Sequence, residues 1–286
     1  MMKGFTAKSW KMRWFPAPEE LISEDYFAFD ERKGIMAVAD GITREKSSYL
    51  DDIFSLRLKS KARMAAERAV RAFIISLRCF HNIDERAVKL SAIRANEDVK
   101  LLNEFLGINP ETVDYLKNDY AGCTFAGGAY NEKDGVVIGA FVADARLGIY
   151  RRDKRELELT PNLGPTKELD AQMWADSKMA GKNWGMAEGR RGIRKYFRNK
   201  PNGYYALTGE KEAEEGIHVV RWEFKPGDVF CACTDDMGEV VEAKGLDYFI
   251  VKDFAGLEEQ SQGDIKHEGT IVYCHEPMYK FVGFGK

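Results

Sequence analysis

Two long amphipathic helices interrupt a chain that is otherwise rich in short apolar strands, and this order restricts the fold more than any other feature. Between about residues 45 and 117, apolar residues recur at helical spacing, first over Ala65–Leu77 and then over Ala87–Phe105, with a turn and cap at 82–84. Gly107 and Pro110 end the second helix. Because strands precede and follow the helices, we predict an α+β protein with antiparallel sheets and helices packed outside them.

The strands are predicted from short apolar runs that are joined by polar turns containing glycine. The sequence predicts hairpins over residues 26–41, 124–143 and 219–233, and a last strand at 269–274. A strand at 147–150 is expected to continue the second hairpin as a meander.

Composition excludes several classes of protein. The 286 residues include 43 Lys+Arg and 46 Asp+Glu, a net charge of −3, which rules out binding to nucleic acid through bulk positive charge. No run approaches the roughly 18 apolar residues of a membrane span, and the N-terminus has no apolar core of a signal peptide. The five scattered cysteines lack metal-ligand spacing and are expected to be buried thiols. We therefore predict a cytoplasmic protein.

Three of the most apolar strands end on aspartate: Asp40, Asp144 and Asp235. Strands that run in the same direction bring their ends to one edge of a sheet, and Glu24-Asp25 precedes the first strand near that edge. Carboxylates gathered there repel one another, and hard divalent cations such as Mg²⁺ and Mn²⁺, which prefer oxygen ligands, are the usual compensation. The alternative is that each aspartate simply begins a turn.

Other catalytic arrangements are missing from the sequence. The four histidines show no HExxH or other ligand spacing, and neither a Gly-x-Ser-x-Gly motif nor a glycine-rich phosphate loop is present. The acidic strand ends are thus the main candidates for a functional site.

In order along the chain, several segments resemble motifs of the metal-dependent serine/threonine phosphatases of type 2C, particularly their compact bacterial members. The resemblance extends over about residues 20 to 275, and the set of ordered motifs is specific although each one is short. The matching segments are Glu24-Asp25, Val38–Gly41, Gly122–Thr124, Ala143–Arg146, Lys225–Asp228 and Cys233–Asp236.

The resemblance implies one domain over residues 1–286 with a four-layer α-β-β-α sandwich of two antiparallel sheets and an irregular flap at about 161–203. It also implies a centre of two Mn²⁺ or Mg²⁺ ions at one end of the sandwich, with a third, weaker ion. The implied metal-centre residues are Asp40, which bridges both ions, the Gly41 carbonyl, Asp235, Glu24 and Asp25 through metal-bound waters, and Asp144 for the third ion.

The implied activity is hydrolysis of phosphoserine or phosphothreonine in proteins. Two ions about 3.5–4 Å apart share a water and lower its pKa, and the resulting hydroxide attacks phosphorus in line, without a phospho-enzyme. The partner is then a phosphorylated protein, with no nucleic acid and no membrane involved, and we expect a monomer. Two alternatives are open: a catalytically impaired or inactive phosphatase-like protein that acts as a binding module, and a hydrolase of small phosphorylated metabolites.

The sequence departs from the family pattern in four places, one of which is Ile42-Thr43 after Asp40-Gly41, where many members have a further glycine pair. Glu20 stands where many members have a phosphate-binding arginine, and Asp236 replaces the glycine after Asp235. The last metal ligand is normally an aspartate before the final strand, and here Glu268, His267 and Asp264 are the candidates. Candidates for the phosphate-binding role are Arg13, Arg44 and Arg190.

Overall fold

The computed structural model describes residues 2–8, 24–42, 60–109, 121–165, 195–245 and 268–275, with isolated positions between 112 and 175. A 3₁₀-helix, Lys211–Gly216, precedes the eighth strand. In chain order the strands and α-helices are β1 (Met2–Lys8), β2 (Tyr26–Asp30), β3 (Ile35–Ala39), α1 (Lys61–Arg78), α2 (Glu85–Phe105), β4 (Phe125–Asn131), β5 (Val136–Val142), β6 (Arg146–Arg151), β7 (Glu156–Leu159), β8 (His218–Glu223), β9 (Val229–Cys233), α3 (Asp235–Lys244) and β10 (Glu268–His275).

The strands of the described chain form two antiparallel sheets of five strands each. Sheet I has the order β2-β3-β4-β5-β8, and sheet II has the order β1-β10-β9-β6-β7. The predicted hairpins β2–β3 and β4–β5 are confirmed, with Phe27 opposite Val38 and Gly128 opposite Gly139. Since β3 and β5 are both antiparallel to β4, they run in the same direction and end at the same edge of sheet I.

Three groups of buried apolar side chains define the layers. One group lies between sheet I and the helices α1 and α2, and includes Phe73 and Phe125 with ring centroids 5.0 Å apart. A second group lies between the two sheets and includes Leu147 and Phe230. A third packs α3 against sheet II. The predicted sandwich of two antiparallel sheets flanked by helices is therefore confirmed.

The helix pair forms where the sequence predicts it, because both helices combine an apolar face with a polar cap. Ser60 accepts a hydrogen bond from the N–H of Arg63 at 3.0 Å. Asp84 accepts one from the N–H of Ala87 at 2.7 Å, which confirms the predicted turn and cap at 82–84.

Two predicted strand pairings are wrong. β6 does not continue the β4–β5 meander, because Ala143 turns the chain into sheet II with a φ of 64°. β8 and β9 are not a hairpin, because β8 pairs with β5 in sheet I while β9 pairs with β6 and β10 in sheet II. In both cases the apolar pattern identifies a strand correctly, but the choice of sheet depends on contacts distant in the sequence.

Three elements were not predicted from the sequence: β1, β7 and α3. β7 has only four residues, in which glutamate and leucine alternate, and α3 has ten residues with Gly238 in its second turn, so both give weak patterns. The predicted flap at 161–203 lies largely outside the described residues. None of the helices in the described part of the chain is long and apolar enough to cross a bilayer. All five cysteines are free; four are buried as predicted, whereas Cys79 is exposed.

Candidate metal centre

The predicted acidic residues meet at one end of the sandwich, where strand ends of both sheets converge. Hydrogen bonds of the backbone fix the sheet I side: the Gly41 N–H donates to the Glu24 carbonyl at 3.3 Å, and the Thr124 N–H donates to the Asp40 carbonyl at 2.8 Å. These bonds place the Glu24-Asp25 segment beside Asp40 and Gly41, as the folding back of the first hairpin predicts.

Gly41 lies where the start of α1 packs against the site. A Cβ atom at this position would stand 2.5 Å from the carbonyl carbon and 2.7 Å from the Cβ of Ala62. Since such contacts are sterically forbidden, only glycine lets the first turn of α1 approach the end of β3 this closely.

Asp144 follows a strained turn at the end of β5. Ala143 adopts the left-handed conformation that favours glycine, and its carbonyl accepts a hydrogen bond from the Leu163 N–H at 2.9 Å. Gly164 leaves room for the Asp144 carboxylate, because a Cβ there would stand 3.0 Å from Oδ2 of Asp144. Oδ1 of Asp144 is buried and has no hydrogen-bond partner within the described residues.

Asp235 reaches the site from sheet II. It is the first residue of α3, directly after β9, and the hydroxyl of the preceding Thr234 donates a hydrogen bond to Oδ2 of Asp25 at 2.8 Å. Asp25 is almost fully buried, at 1 % exposure. The side chains of the two sheets are therefore joined directly at the acidic end.

The carboxyl groups strongly affect one another. Burial raises the pKa of Asp40 well above its usual range, and the charges of Asp25 and Asp235, a hydrogen bond with Asp25 and the charge of Asp144 raise it further. Burial, followed by the charges of Asp144, Asp236 and Asp25, raises the pKa of Asp235 to about 8 against an opposing hydrogen bond from the Asp236 backbone. Burial also raises the pKa of Asp144. Within the described residues, no cation is among the groups that shift the pKa of Asp40.

The donor set fits a hard divalent cation, because it consists of carboxylate oxygens that are partly removed from water and include the buried Oδ1 of Asp144. Considering only the part of the chain that is described, no three acidic, histidine or cysteine side chains stand close enough together to enclose one ion. The site thus collects the appropriate ligand chemistry, with the side chains farther apart than in a closed coordination shell.

The structure brings together most, but not all, of the sequence candidates. Glu24, Asp25, Asp40, Gly41, Asp144 and Asp235 lie at this end of the sandwich. The backbone of Glu268 belongs to β10, while its side chain is outside the described part of the structure. His267, Asp264, Arg13, Arg44 and Arg190 also lie outside the described residues.

Two residues near the site were not assigned any role from the sequence. The hydroxyl of Thr234 binds Asp25, although a threonine before a helix usually indicates only a cap. Arg63 lies in the first turn of α1, with its guanidinium 4.6 Å from the ring centroid of Tyr26, the residue after Asp25. The first turn of α1 contains two cationic residues, Lys61 and Arg63, and no acidic residue, which is unfavourable for the helix dipole. This unusual pattern was the sequence signal from which a role for Arg63 could have been suspected.

Comparison with known proteins gives different results for the sequence and for the fold. None of the protein-family models matches the sequence, and none of the curated proteins matches it. The structure, in contrast, is similar to solved serine/threonine phosphatases over nearly the whole chain.

The catalytic domain of the serine/threonine protein phosphatase PstP, solved with two manganese ions, is 14 % identical with a TM-score of 0.59, and 96 % of each chain is covered. The PPM Ser-Thr phosphatase MsPP from Mycobacterium smegmatis, solved with cacodylate, is 16 % identical with a TM-score of 0.58 over 97 % of this chain and 98 % of MsPP. The S. agalactiae serine/threonine phosphatase is 14 % identical with a TM-score of 0.55 over 96 % of this chain and all (100 %) of its own. The chain therefore has the fold of the PPM serine/threonine phosphatases, as the motif resemblance predicts.

Proposed function

We propose that the chain is a Mn²⁺- or Mg²⁺-dependent phosphatase that hydrolyses phosphoserine or phosphothreonine in proteins. The observation that carries the proposal is the convergence of Asp25, Asp40, Asp144 and Asp235 from both sheets, where burial and the charges of neighbouring carboxylates raise the pKa values of Asp40 and Asp235. The fold is that of serine/threonine phosphatases, one of which was solved with two manganese ions. We include in the proposal a single monomeric domain that acts in the cytoplasm, as composition and motif order predict.

In this proposal Asp40, the Gly41 carbonyl and Asp235 hold two ions, Glu24 and Asp25 orient water, and Asp144 serves a third ion. When bound, the ions supply a water of lowered pKa and positive charge for the phosphoryl oxygens. Glu268, with His267 and Asp264 as alternatives, is proposed as the last ligand. The chain itself orients the carboxylates through hydrogen bonds. The Thr234 hydroxyl donates to the carboxylate of Asp25, and the Thr124 N–H donates to the backbone carbonyl of Asp40.

A second candidate is a phosphatase-like protein without catalysis that serves as a binding module. It is favoured by two observations: no three donor side chains of the described residues enclose an ion, and Asp236, buried in the first turn of α3, adds charge beside Asp235. Loss of activity with retention of the fold is common, since function depends on the site and not on the fold.

The test is hydrolysis of p-nitrophenyl phosphate with and without Mn²⁺, for the native chain and for Asp235→Asn. The control is Asp134→Asn, because Asp134 is an acid of the β4–β5 turn that binds Asn131. We expect Mn²⁺-dependent turnover that Asp235→Asn abolishes and Asp134→Asn preserves. Absence of both turnover and calorimetric Mn²⁺ binding would overturn the proposal, whereas binding without turnover would favour the second candidate.

A panel of substrates distinguishes a phosphatase of proteins from a phosphatase of small metabolites. We expect phosphoserine and phosphothreonine peptides to be hydrolysed with a higher kcat/KM than phosphorylated sugars or nucleotides of equal charge. The opposite order would replace a protein substrate by a small phosphorylated metabolite, with the metal centre unchanged.

A further inference from the structure

Thr234 occupies the position that caps a helix, but its hydroxyl does not cap α3. Its backbone is extended, with φ −81° and ψ 173°, and its side chain makes no hydrogen bond to the first turn of the helix. At the same position of α1 and α2, Ser60 and Asp84 both accept a hydrogen bond from their own first turn. The hydroxyl of Thr234 is therefore diverted to another partner.

That partner is Asp25, to which the hydroxyl donates a hydrogen bond. The N–H of Thr270 donates to Oγ1 of Thr234 at 2.8 Å, and Oγ1 donates to Oδ2 of Asp25 at 2.8 Å. A hydroxyl has a single proton, so when its oxygen accepts from a backbone N–H, its proton is available to the carboxylate. Thr234 and Thr270 are both 0 % exposed, so water does not compete for these bonds.

The bond connects the two halves of the acidic site. Asp25 precedes β2 of sheet I, and its charge contributes to the raised pKa of Asp40, whereas Thr234 lies between β9 of sheet II and Asp235, the first residue of α3. Backbone contacts hold the sheet II side, because the Thr234 N–H donates to the Thr270 carbonyl at 2.9 Å. The first turn of α3 lies close over β10, where a Cβ on Gly269 would stand 2.9 Å from the nitrogen of Met237.

We propose that Thr234 is a positioning residue of the metal centre, whose hydroxyl holds Asp25, the residue before β2 of sheet I, beside Asp235 at the start of α3. The inference rests on the proposed function, because a metal centre that is bound by residues of both sheets requires their carboxylates to lie at fixed positions relative to one another. The hydroxyl of Thr234 joins the acidic ends of the two sheets instead of capping its own helix, as Ser60 and Asp84 do for theirs. Here it orients the carboxylate that the repulsion of Asp40 and Asp235 tends to displace.

The experiment measures Mn²⁺ affinity by calorimetry on the full chain. Thr234→Val keeps the shape of the side chain but removes the hydroxyl, and we expect affinity to fall at least about tenfold, as for other groups that orient metal ligands. Thr234→Ser restores the hydroxyl, and we expect affinity within about threefold of the native chain. Ser91→Ala is the matched control, because it removes a buried hydroxyl that binds Ser76 between α1 and α2, away from the site.

A double-mutant cycle with Asp25→Asn tests whether Thr234 acts through Asp25. We expect Thr234→Val to lower affinity in the native background and to have less than about a twofold effect in the Asp25→Asn background. Thr234→Ala replaces Thr234→Val in the cycle if circular dichroism shows that the valine variant is unfolded.

The outcomes separate the two proposals. Equal Mn²⁺ affinity of Thr234→Val and the native chain, or an equal loss in both backgrounds, overturns the positioning role and leaves the proposed function intact. A native chain that binds no Mn²⁺ overturns the proposed function itself.

Discussion

Asp228 and Asp40 are aspartates of two of the motifs that resemble the phosphatase family, and their surroundings are opposite. Asp228 is 3 % exposed, and its Oδ2 accepts hydrogen bonds from Nη1 of Arg151 at 2.6 Å and from the Lys225 N–H at 3.0 Å. The pKa of Asp40 is raised by burial and by the charges of Asp25, Asp235 and Asp144. Burial of an acid is therefore not by itself a sign of function. The two aspartates differ in the charges around them, which are cationic at Asp228 and acidic at Asp40.

The difference divides the acids of the chain into two groups. Asp228 joins the β8–β9 connection to the end of β6, so its charge is used within the fold. At the acidic end, burial and neighbouring carboxylates raise the pKa values of Asp40 and Asp235, and the proposed function assigns the compensating charge to divalent ions. Three predictions test this division in order of decreasing effect, and a fourth tests the strained turn before Asp144.

Activity should separate the two aspartates most strongly. Asp40→Asn is expected to lower Mn²⁺-dependent hydrolysis of p-nitrophenyl phosphate by at least about 10³-fold, because under the proposed function it removes a charge that would hold the ions at the reacting phosphate. Asp228→Asn should stay within a few fold once folded protein is compared. Equal losses in the two variants would contradict the division.

Stability should show the opposite order, with a larger loss for Asp228→Asn than for Asp40→Asn. Asp228→Asn removes the buried carboxylate from Arg151, a side chain 13 % exposed, which keeps only the half-exposed carboxylate of Glu158 at 3.3 Å. Loss of a buried hydrogen-bond partner of this kind costs about 1–3 kcal/mol. Asp40→Asn removes repulsion, so the free energy of unfolding in chelator should be unchanged or higher. Urea unfolding measures both, and a larger loss for Asp40→Asn would contradict the assignment.

The stability of the metal-free protein should depend on pH with a defined sign. Asp235 has a pKa of about 8 in the folded chain, above the value of an unfolded aspartate, so folding retains a proton and stability falls as the pH rises towards 8. In EDTA, the melting temperature of the native chain should therefore decrease relative to that of Asp235→Asn between pH 5 and 8. Parallel melting curves across this range would show that Asp235 does not repel its neighbours.

The smallest effect concerns the turn before Asp144. Ala143 has φ 64°, a conformation that costs a residue with a Cβ about 1–2 kcal/mol, so Ala143→Gly should stabilise the protein by about 1 kcal/mol. Ala145→Gly is the control, because Ala145 is buried nearby without a positive φ and should be destabilised by glycine. Thermal unfolding of both variants gives the comparison, and a loss of stability in Ala143→Gly would refute it.

The sequence predicts what depends on local pattern. Asp84 is recognisable as a cap because its partner, Ala87, is three residues away, and Asp40 is recognisable because it follows an apolar strand. The role of Asp228 is not recognisable, since Arg151 is 77 residues distant. The meeting of Asp144 and Asp235 depends on which sheet receives β6 and β9, and local patterns cannot decide that choice. The fold class was therefore predictable, whereas the links between the sheets, including Thr234, required the structure.

Calorimetric titration with Mn²⁺ of the native chain, Asp40→Asn and Asp228→Asn measures whether the acidic end binds divalent ions, as we propose. We expect saturable binding by the native chain and by Asp228→Asn, and at least about tenfold weaker binding by Asp40→Asn. If the native chain bound no Mn²⁺, or if Asp40→Asn bound it with the same affinity, the acidic end would not be a metal centre.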